Sequence, residues 1–232
     1  MKNIFISGIS HGIGYATAKH LSQKHNVFGS TRNKEAFLQN SSISLIAQDN
    51  IFEIDFLKDN KTELEMILNP IQNKIQVLIN NAGVVIFTPF EKSVIEDLKT
   101  QIEVNLYGAY NLTQQFLPTM LEHRQGLIIN LISIAAVKPF ENSSIYGASK
   151  AAMATLFSSL REETRRQKIK ITNLLLGATY TEVWDEETRA KLGSRMVQPE
   201  SVAKLIDNLI NYSDNDDCMI EDIIVRPQFG DL

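Results

Sequence analysis

The chain has 232 residues, a formal net charge of −4 and a hydrophobic fraction of 44%, an ordinary composition for a globular protein. Nucleic acids and anionic membrane surfaces need a basic face, so the acidic balance argues against both as partners. The length suits one α/β domain spanning 1–232, no apolar run approaches the roughly 20 residues that cross a bilayer, and the one cysteine, Cys218, reads as a small buried hydrophobe that cannot form an internal disulfide, which together point to a cytoplasmic protein.

Lys2–Ser7, rich in isoleucine and phenylalanine, reads as a first strand, since its apolar run is too short for a signal-peptide core. Gly12–His25 has helical spacing at Ile13, Ala16, Thr17, Ala18 and Leu21. Asn26–Thr31 and Ser44–Asp55 read as the second and third strands. Asn60–Leu68 is a helix stopped near Pro70, and Lys74–Asn80 is a fourth strand. Ser93 and Glu96 have capping-box spacing before Leu98. Helical character resumes from Asn105 to about His123, with a kink expected at Pro118. Leu127–Ser133 is a fifth strand, Ser144–Gln167 a long helix and Lys170–Leu176 a sixth strand. Gly177–Arg195 is irregular or weakly helical. Ser201–Tyr212 is a helix preceded by Pro199, Ser213–Asp217 a surface loop and Cys218–Val225 a last strand. Nearly continuous apolar strands such as VLIN and LIINLI belong in a parallel sheet covered on both faces. Strand–helix alternation favours right-handed crossovers, so the expected fold is α/β: a doubly wound, mainly parallel, Rossmann-like sheet in three α/β/α layers.

The first strand runs into Gly8-Ile9-Ser10-His11-Gly12-Ile13-Gly14, and a helix follows. A strand–turn–helix of this kind aims free backbone N–H groups and a positive helix end at a pyrophosphate. Gly8 permits the turn, Gly12 lets the backbone approach the phosphate and Gly14 lets the helix pack close to the sheet; Ser10, His11 and Ile13 complete the candidate loop.

Ser7–Gly14 resembles the T-G-x-x-x-G-x-G fingerprint of the short-chain dehydrogenase/reductase family, with serine in place of threonine. Asn80-Asn81-Ala82-Gly83 is similar to the family's N-N-A-G, Asn105 to its helix asparagine, Ser133 to its catalytic serine, and Tyr146 with Lys150 to its Y-x-x-x-K. The resemblance covers almost the whole chain. It implies an oxidoreductase that moves a hydride between a nicotinamide dinucleotide and a small carbonyl or alcohol substrate, with Asn81, Ala82 and Gly83 near the cofactor and Asn80 more structural. An NAD-dependent alcohol dehydrogenase and a non-catalytic dinucleotide-binding sensor or scaffold stand as alternatives.

The tip of the second strand bears on which dinucleotide binds. A carboxylate there accepts from the adenosine ribose hydroxyls and repels a 2′-phosphate. Here Thr31 holds that place and Arg32 follows, and a guanidinium can hold a phosphate through paired hydrogen bonds. Ser30 and Thr31 could donate further bonds, so NADP(H) is favoured and NAD(H) remains possible. Asp55 resembles the aspartate that meets the adenine amino group, and reads equally as a surface turn residue.

Tyr146 and Lys150, four apart on a helix, lie on one face. An ammonium beside a phenol favours the phenolate, so Lys150 is expected to lower the proton affinity of Tyr146 and make it an acid–base. Ser133, at a strand's carboxyl end, can hydrogen-bond the substrate oxygen. The resemblance implies that Lys150 also holds the nicotinamide ribose and that Asn105 anchors a water relay. None of the four histidines follows the serine or has metal-ligand spacing, so no metal is expected. In Leu176-Gly177-Ala178-Thr179-Tyr180-Thr181 the family's P-G-x-x-x-T is met except at its proline. Gly177, Thr179 and Thr181 are cofactor candidates, and the backbone at Leu176 is expected to be less rigid. Tyr180, Val183, Trp184, Leu192 and Met196 would cover the substrate or form an amphipathic surface helix. Val84–Pro89, Ala135–Phe140 and Ser143 would flank the pocket. The resemblance further implies a homodimer or homotetramer through the helices within Asp97–His123 and Ser144–Gln167.

Overall fold

In the computed structural model, which describes residues 1–40, 46–58 and 61–232, β1 (Asn3–Ile6), β2 (Asn26–Thr31), β3 (Ile51–Glu53), β4 (Val77–Asn80), β5 (Gly126–Ser133), β6 (Ile169–Leu176) and β7 (Asp222–Val225) form one parallel sheet. Its order is β3-β2-β1-β4-β5-β6-β7. The chain winds outward from β1 to β3, then returns to β4 beside β1 and winds the other way. This reversal opens a crevice at the carboxyl ends of β1 and β4, where doubly wound sheets bind ligands.

The strands alternate apolar residues between two buried faces. Ile4, Ile6, Val77, Ile79 and Ile129 face α1 (Gly12–Leu21), α2 (Lys34–Asn40) and α8 (Pro199–Tyr212). Phe5, Leu78, Ile128 and Ile171 face α3 (Lys61–Leu68), α5 (Gly108–His123) and α6 (Ser144–Thr164). The remaining helices are α4 (Ile95–Ile102) and α7 (Glu186–Leu192). Buried Asn80, Asn130 and Asn173 stand in register on β4, β5 and β6 and hydrogen-bond in sequence, at 2.9 and 3.0 Å. The Asn80 amide nitrogen also donates to the Thr113 hydroxyl at 3.3 Å, while its oxygen, at the β4 end of the ladder, is buried without a partner.

Several elements depart from expectation. Helix α2 was not anticipated; the Asn33 carboxamide caps it, accepting from the Ala36 N–H at 2.8 Å. The third strand is short because Gln48–Asn50 forms one 3-10 turn, held by Asn50 donating to the Asn26 side chain and the Val27 carbonyl. Residues 44 and 45 of that expected strand, and Asn60 of the next expected helix, lie outside the described residues. The expected capping box does not form: Val94 is the N-cap and its N–H donates to Asp97 at 3.2 Å, the return half of such a box, while the Ser93 hydroxyl donates to the Phe90 carbonyl. Helix α5 runs through Pro118. Cys218 lies before β7, half-buried, its thiol 3.4 Å from the Tyr212 hydroxyl, so it is not a core hydrophobe. Among the described residues no helix is long and apolar enough to cross a membrane.

Candidate active site

The end of β1 is laced to the end of β4. The Ser7 hydroxyl accepts from the Asn81 and Ala82 N–H groups, both at 3.0 Å, and the Asn81 carboxamide donates to the Ser7 and Gly8 carbonyls, both at 2.8 Å. Asn81 therefore shapes the glycine loop from behind. Gly12 has φ 58°, a left-handed conformation that other residues adopt at a cost. A Cβ on Gly14 would lie 2.0 Å from the Gly8 carbonyl oxygen, so only glycine lets α1 start there. Helix α1 has neither a side-chain cap nor an acidic residue in its first turn, which leaves its positive end for an external anion.

At the adenosine end the Thr31 and Ser10 hydroxyls are 2.7 Å apart, joining β2 to the loop, and Arg32 is exposed at the rim. Ser30, expected as a further donor at this end, lines the cleft. It is buried, and its hydroxyl accepts from the Gly8 N–H at 3.3 Å, making it scaffold. Asp55 accepts from the Leu57 N–H at 3.1 Å and pairs with Lys58 at 3.3 Å.

The residues at the other end converge from four elements. Asn105 sits in a widened π-turn, Glu103–Tyr107, of the kind that interrupts helices at functional sites. Its carboxamide accepts from the Val84 N–H at 2.8 Å and donates to the Val84 carbonyl at 2.9 Å and the Ser149 hydroxyl at 3.0 Å. Ser149 in turn donates to the Tyr146 carbonyl at 2.8 Å. Asn105 thus clamps the first turns of α6, which carry Tyr146 and Lys150, against the β4 loop. Lys150 is buried and donates to the Leu131 carbonyl at 3.0 Å. A side chain at Gly83 would begin 3.5 Å from its nitrogen and 3.1 Å from the Asn105 oxygen, so glycine keeps this space open.

Burial dominates the electrostatics. It pushes the Tyr146 phenol up, opposed by the hydrogen bond with Ser133, and it pushes Lys150 down to about 8. Burial thus acts on the phenol in the direction opposite to that expected from the Lys150 ammonium.

Gly177 is tied to β7 by its N–H donating to the Val225 carbonyl at 2.7 Å, and Leu176 is buried and paired with Val225. Pairing with β7 thus anchors the backbone at the place where the family's proline is missing. The Thr179 hydroxyl donates to the Gly177 carbonyl and the Thr181 hydroxyl to the Thr179 carbonyl. Tyr180 turns away from the cleft and packs on Gly193, with Arg189 over its ring, so it fastens the covering segment to the body rather than lining a pocket. Glu182 lies across the phosphate loop, its carboxylate 3.6 Å from the His11 ring and 3.5 Å from where a Gly12 side chain would start.

One cleft of about 710 Å³ runs from Arg32 and Asp55 to Tyr146 and Trp184. Every expected site residue lines it except Gly14 and Asn105, which lie directly behind its wall. Sequence reasoning missed Glu141, Asp231 and Leu232 on its wall. The nearest signal was the charged 138–141 turn, whose Lys138 meets Asp231 at 2.6 Å. Among the described residues no group of three histidine, cysteine or acidic side chains is placed to hold a metal.

A profile of the short chain dehydrogenase family matches residues 2–192. An uncharacterised oxidoreductase of Staphylococcus aureus (strain USA300) is 28% identical over 229 residues, covering 96% of this chain and 95% of that protein. Sepiapterin reductase of Chlorobaculum tepidum is 34% identical over 161 residues, covering 68% of this chain and 64% of that protein. A closed form of serine dehydrogenase complexed with NADP+ superposes with a TM-score of 0.86 at 25% identity, covering 96% of this chain and 94% of that one.

Proposed function

This chain belongs to the short chain dehydrogenase family and is an NAD(P)-dependent oxidoreductase acting on CH–OH or carbonyl groups, and on that premise we propose that it reduces a small carbonyl compound with NADPH, using Ser133, Tyr146, Lys150 and Asn105. The observation that carries this reading is the convergence of the first three, with Gly83 cut back to leave room, at one end of a cleft whose other end is an uncapped helix start.

When bound, NADPH would supply the hydride that the carbonyl carbon receives. Gly8, Ser10, His11, Gly12 and Ile13 would hold the pyrophosphate through their backbone, and Arg32 and Thr31 would hold the adenosine ribose. With no acid at the tip of β2 and a guanidinium beside it, a 2′-phosphate is attracted rather than repelled. The serine dehydrogenase that superposes on this chain is likewise complexed with NADP+. Gly177, Thr179 and Thr181, which line the cleft, would hold the nicotinamide end of the coenzyme.

Tyr146 acts as the general acid. Burial keeps its hydroxyl protonated until negative charge develops on the substrate oxygen, which then takes the proton from Oη. Ser133 Oγ hydrogen-bonds the same oxygen and steadies it. Lys150, held near neutrality by burial, can return a proton from Nζ to the phenolate one helical turn away. Asn105 keeps the pair in position by clamping α6. The test is Tyr146→Phe: NADPH should bind as before while carbonyl reduction falls by at least about 100-fold, the usual worth of a general acid. Undiminished turnover would remove Tyr146 from the reaction.

A further inference from the structure

We infer that the substrate has an aromatic or alicyclic body and no negative charge, and that Glu141 makes a positive charge at its far end an advantage. This rests on the proposed reaction at Tyr146.

The wall beside the reacting hydroxyl is built of rings. Phe87, from the loop after β4, lies edge-on to Tyr146 with centroids 6.3 Å apart at 71°. It stacks on Trp184, from the segment after β6, at 5.7 Å and 26°. The Trp184 indole N–H donates to the Thr179 carbonyl at 3.1 Å, which fixes the ring plane. Phe140 adds a further ring to the lining, and Phe87 keeps 45% of its surface exposed even within this cluster. A ring or hydrocarbon body would cover that surface. The negative π-faces favour cations and disfavour anions.

The charges point the same way. His11 and Arg32 belong to the coenzyme end, and Lys150 is buried behind Tyr146. Three cations that are not part of the cleft lining cluster at Asp231: Lys138 and Arg226 each pair with its carboxylate at 2.6 Å, and Arg195 donates to its backbone carbonyl at 3.3 Å. Lys138 also lies over the Phe140 ring, 5.3 Å from its centroid, and occupies that face. Glu141 lines the cleft and is exposed, and among the described residues no cation pairs with its carboxylate. A substrate carboxylate would meet no cation on the cleft wall at this end and would face the Glu141 carboxylate.

The experiment compares three para-substituted benzaldehydes, bearing carboxylate, methyl ester and trimethylammonium groups. Reduction is followed by NADPH absorbance with wild-type, Glu141→Gln and Glu141→Lys protein. Electronic effects of the substituents, and any general loss of activity, cancel when the cation-to-anion ratio of kcat/KM is compared between variants. A unit charge acting across ~6 Å of mostly aqueous cleft changes each arm by about threefold, so the ratio should fall about tenfold in Glu141→Gln and further in Glu141→Lys. In Trp184→Ala, kcat/KM for the methyl ester relative to acetaldehyde should drop about tenfold, the order expected for losing a large apolar contact. A ratio indifferent to residue 141, or a wild-type preference for the carboxylate over the ester, overturns the assignment. Turnover of none of the aldehydes by wild-type protein, or equal turnover by Tyr146→Phe, defeats the proposed reaction itself and the substrate class with it.

Discussion

Lys150→Met should make this protein more stable while abolishing its reaction. Methionine keeps an apolar stem and drops the ammonium. Burial brings Lys150 from its ordinary value of 10.5 down to about 8, a displacement worth about 3 kcal/mol of destabilisation while the folded protein holds the charge. The variant forfeits the hydrogen bond to the Leu131 carbonyl, worth about 1 kcal/mol, leaving a net gain of about 2 kcal/mol. The pH dependence follows from the sign. Below pH 8 the lysine is charged in both states and the full penalty applies. Between pH 8 and 10.5 the unfolded chain binds the extra proton, so wild-type stability rises with pH. The variant lacks this rise, and its advantage should shrink through that window and vanish or reverse above it. Urea titration at pH 7 and pH 10, without added nucleotide, measures both points; at pH 7 the melting temperature should rise by about 5 °C. A variant no more stable than wild type at pH 7, or one whose advantage is the same at both pH values, would refute the claim that a desolvated ammonium sits in this site.

Other perturbations test the remaining parts. Arg32→Ala should weaken NADPH binding by about 10- to 100-fold, the worth of charge-assisted hydrogen bonds, while changing NADH binding by less than about twofold. Fluorescence titration of both nucleotides decides it, and an equal effect on the two would remove Arg32 from 2′-phosphate recognition. Glu182→Gln should tighten NADPH binding about threefold, because it removes a carboxylate lying at the positive end of α1 where the pyrophosphate would bind. Unchanged or weaker binding would show that Glu182 does not compete for that position. Asp207→Asn should cost about 2 kcal/mol at neutral pH, since the buried carboxylate accepts from Lys24 at 2.8 Å and pairs with His20 at 2.9 Å. Burial alone would raise its proton affinity, but these bonds more than offset that and hold it low. Its contribution is therefore present above the unfolded carboxylate value near pH 4 and lost as pH falls below it, so the two proteins should converge in acid when urea unfolding is repeated at low pH.

What could be read from the sequence was local. Alternation of Ile4, Phe5 and Ile6, and of Val77, Leu78 and Ile79, states that both faces of the sheet are buried, because strand side chains alternate with a period of two. The glycine spacing at Gly8, Gly12 and Gly14 states a phosphate turn, because it depends on backbone conformations and close approaches that only glycine allows. Tyr146 and Lys150 share a helix face by spacing alone.

What required the tertiary structure was whatever depends on distant segments meeting or on the depth of burial. The Asn80–Asn130–Asn173 ladder exists because three strands align in one register, and no single strand signals it. Phe87 and Trp184 stack only because the loops after β4 and β6 end on the same rim, while Tyr180, four residues before Trp184, turns outward to pack on Gly193. Motif chemistry suggested that Lys150 would loosen the proton on Tyr146. Burial works on the phenol in the opposite direction, because desolvation is set by everything packed around it, and a list of neighbours in the chain does not contain that information.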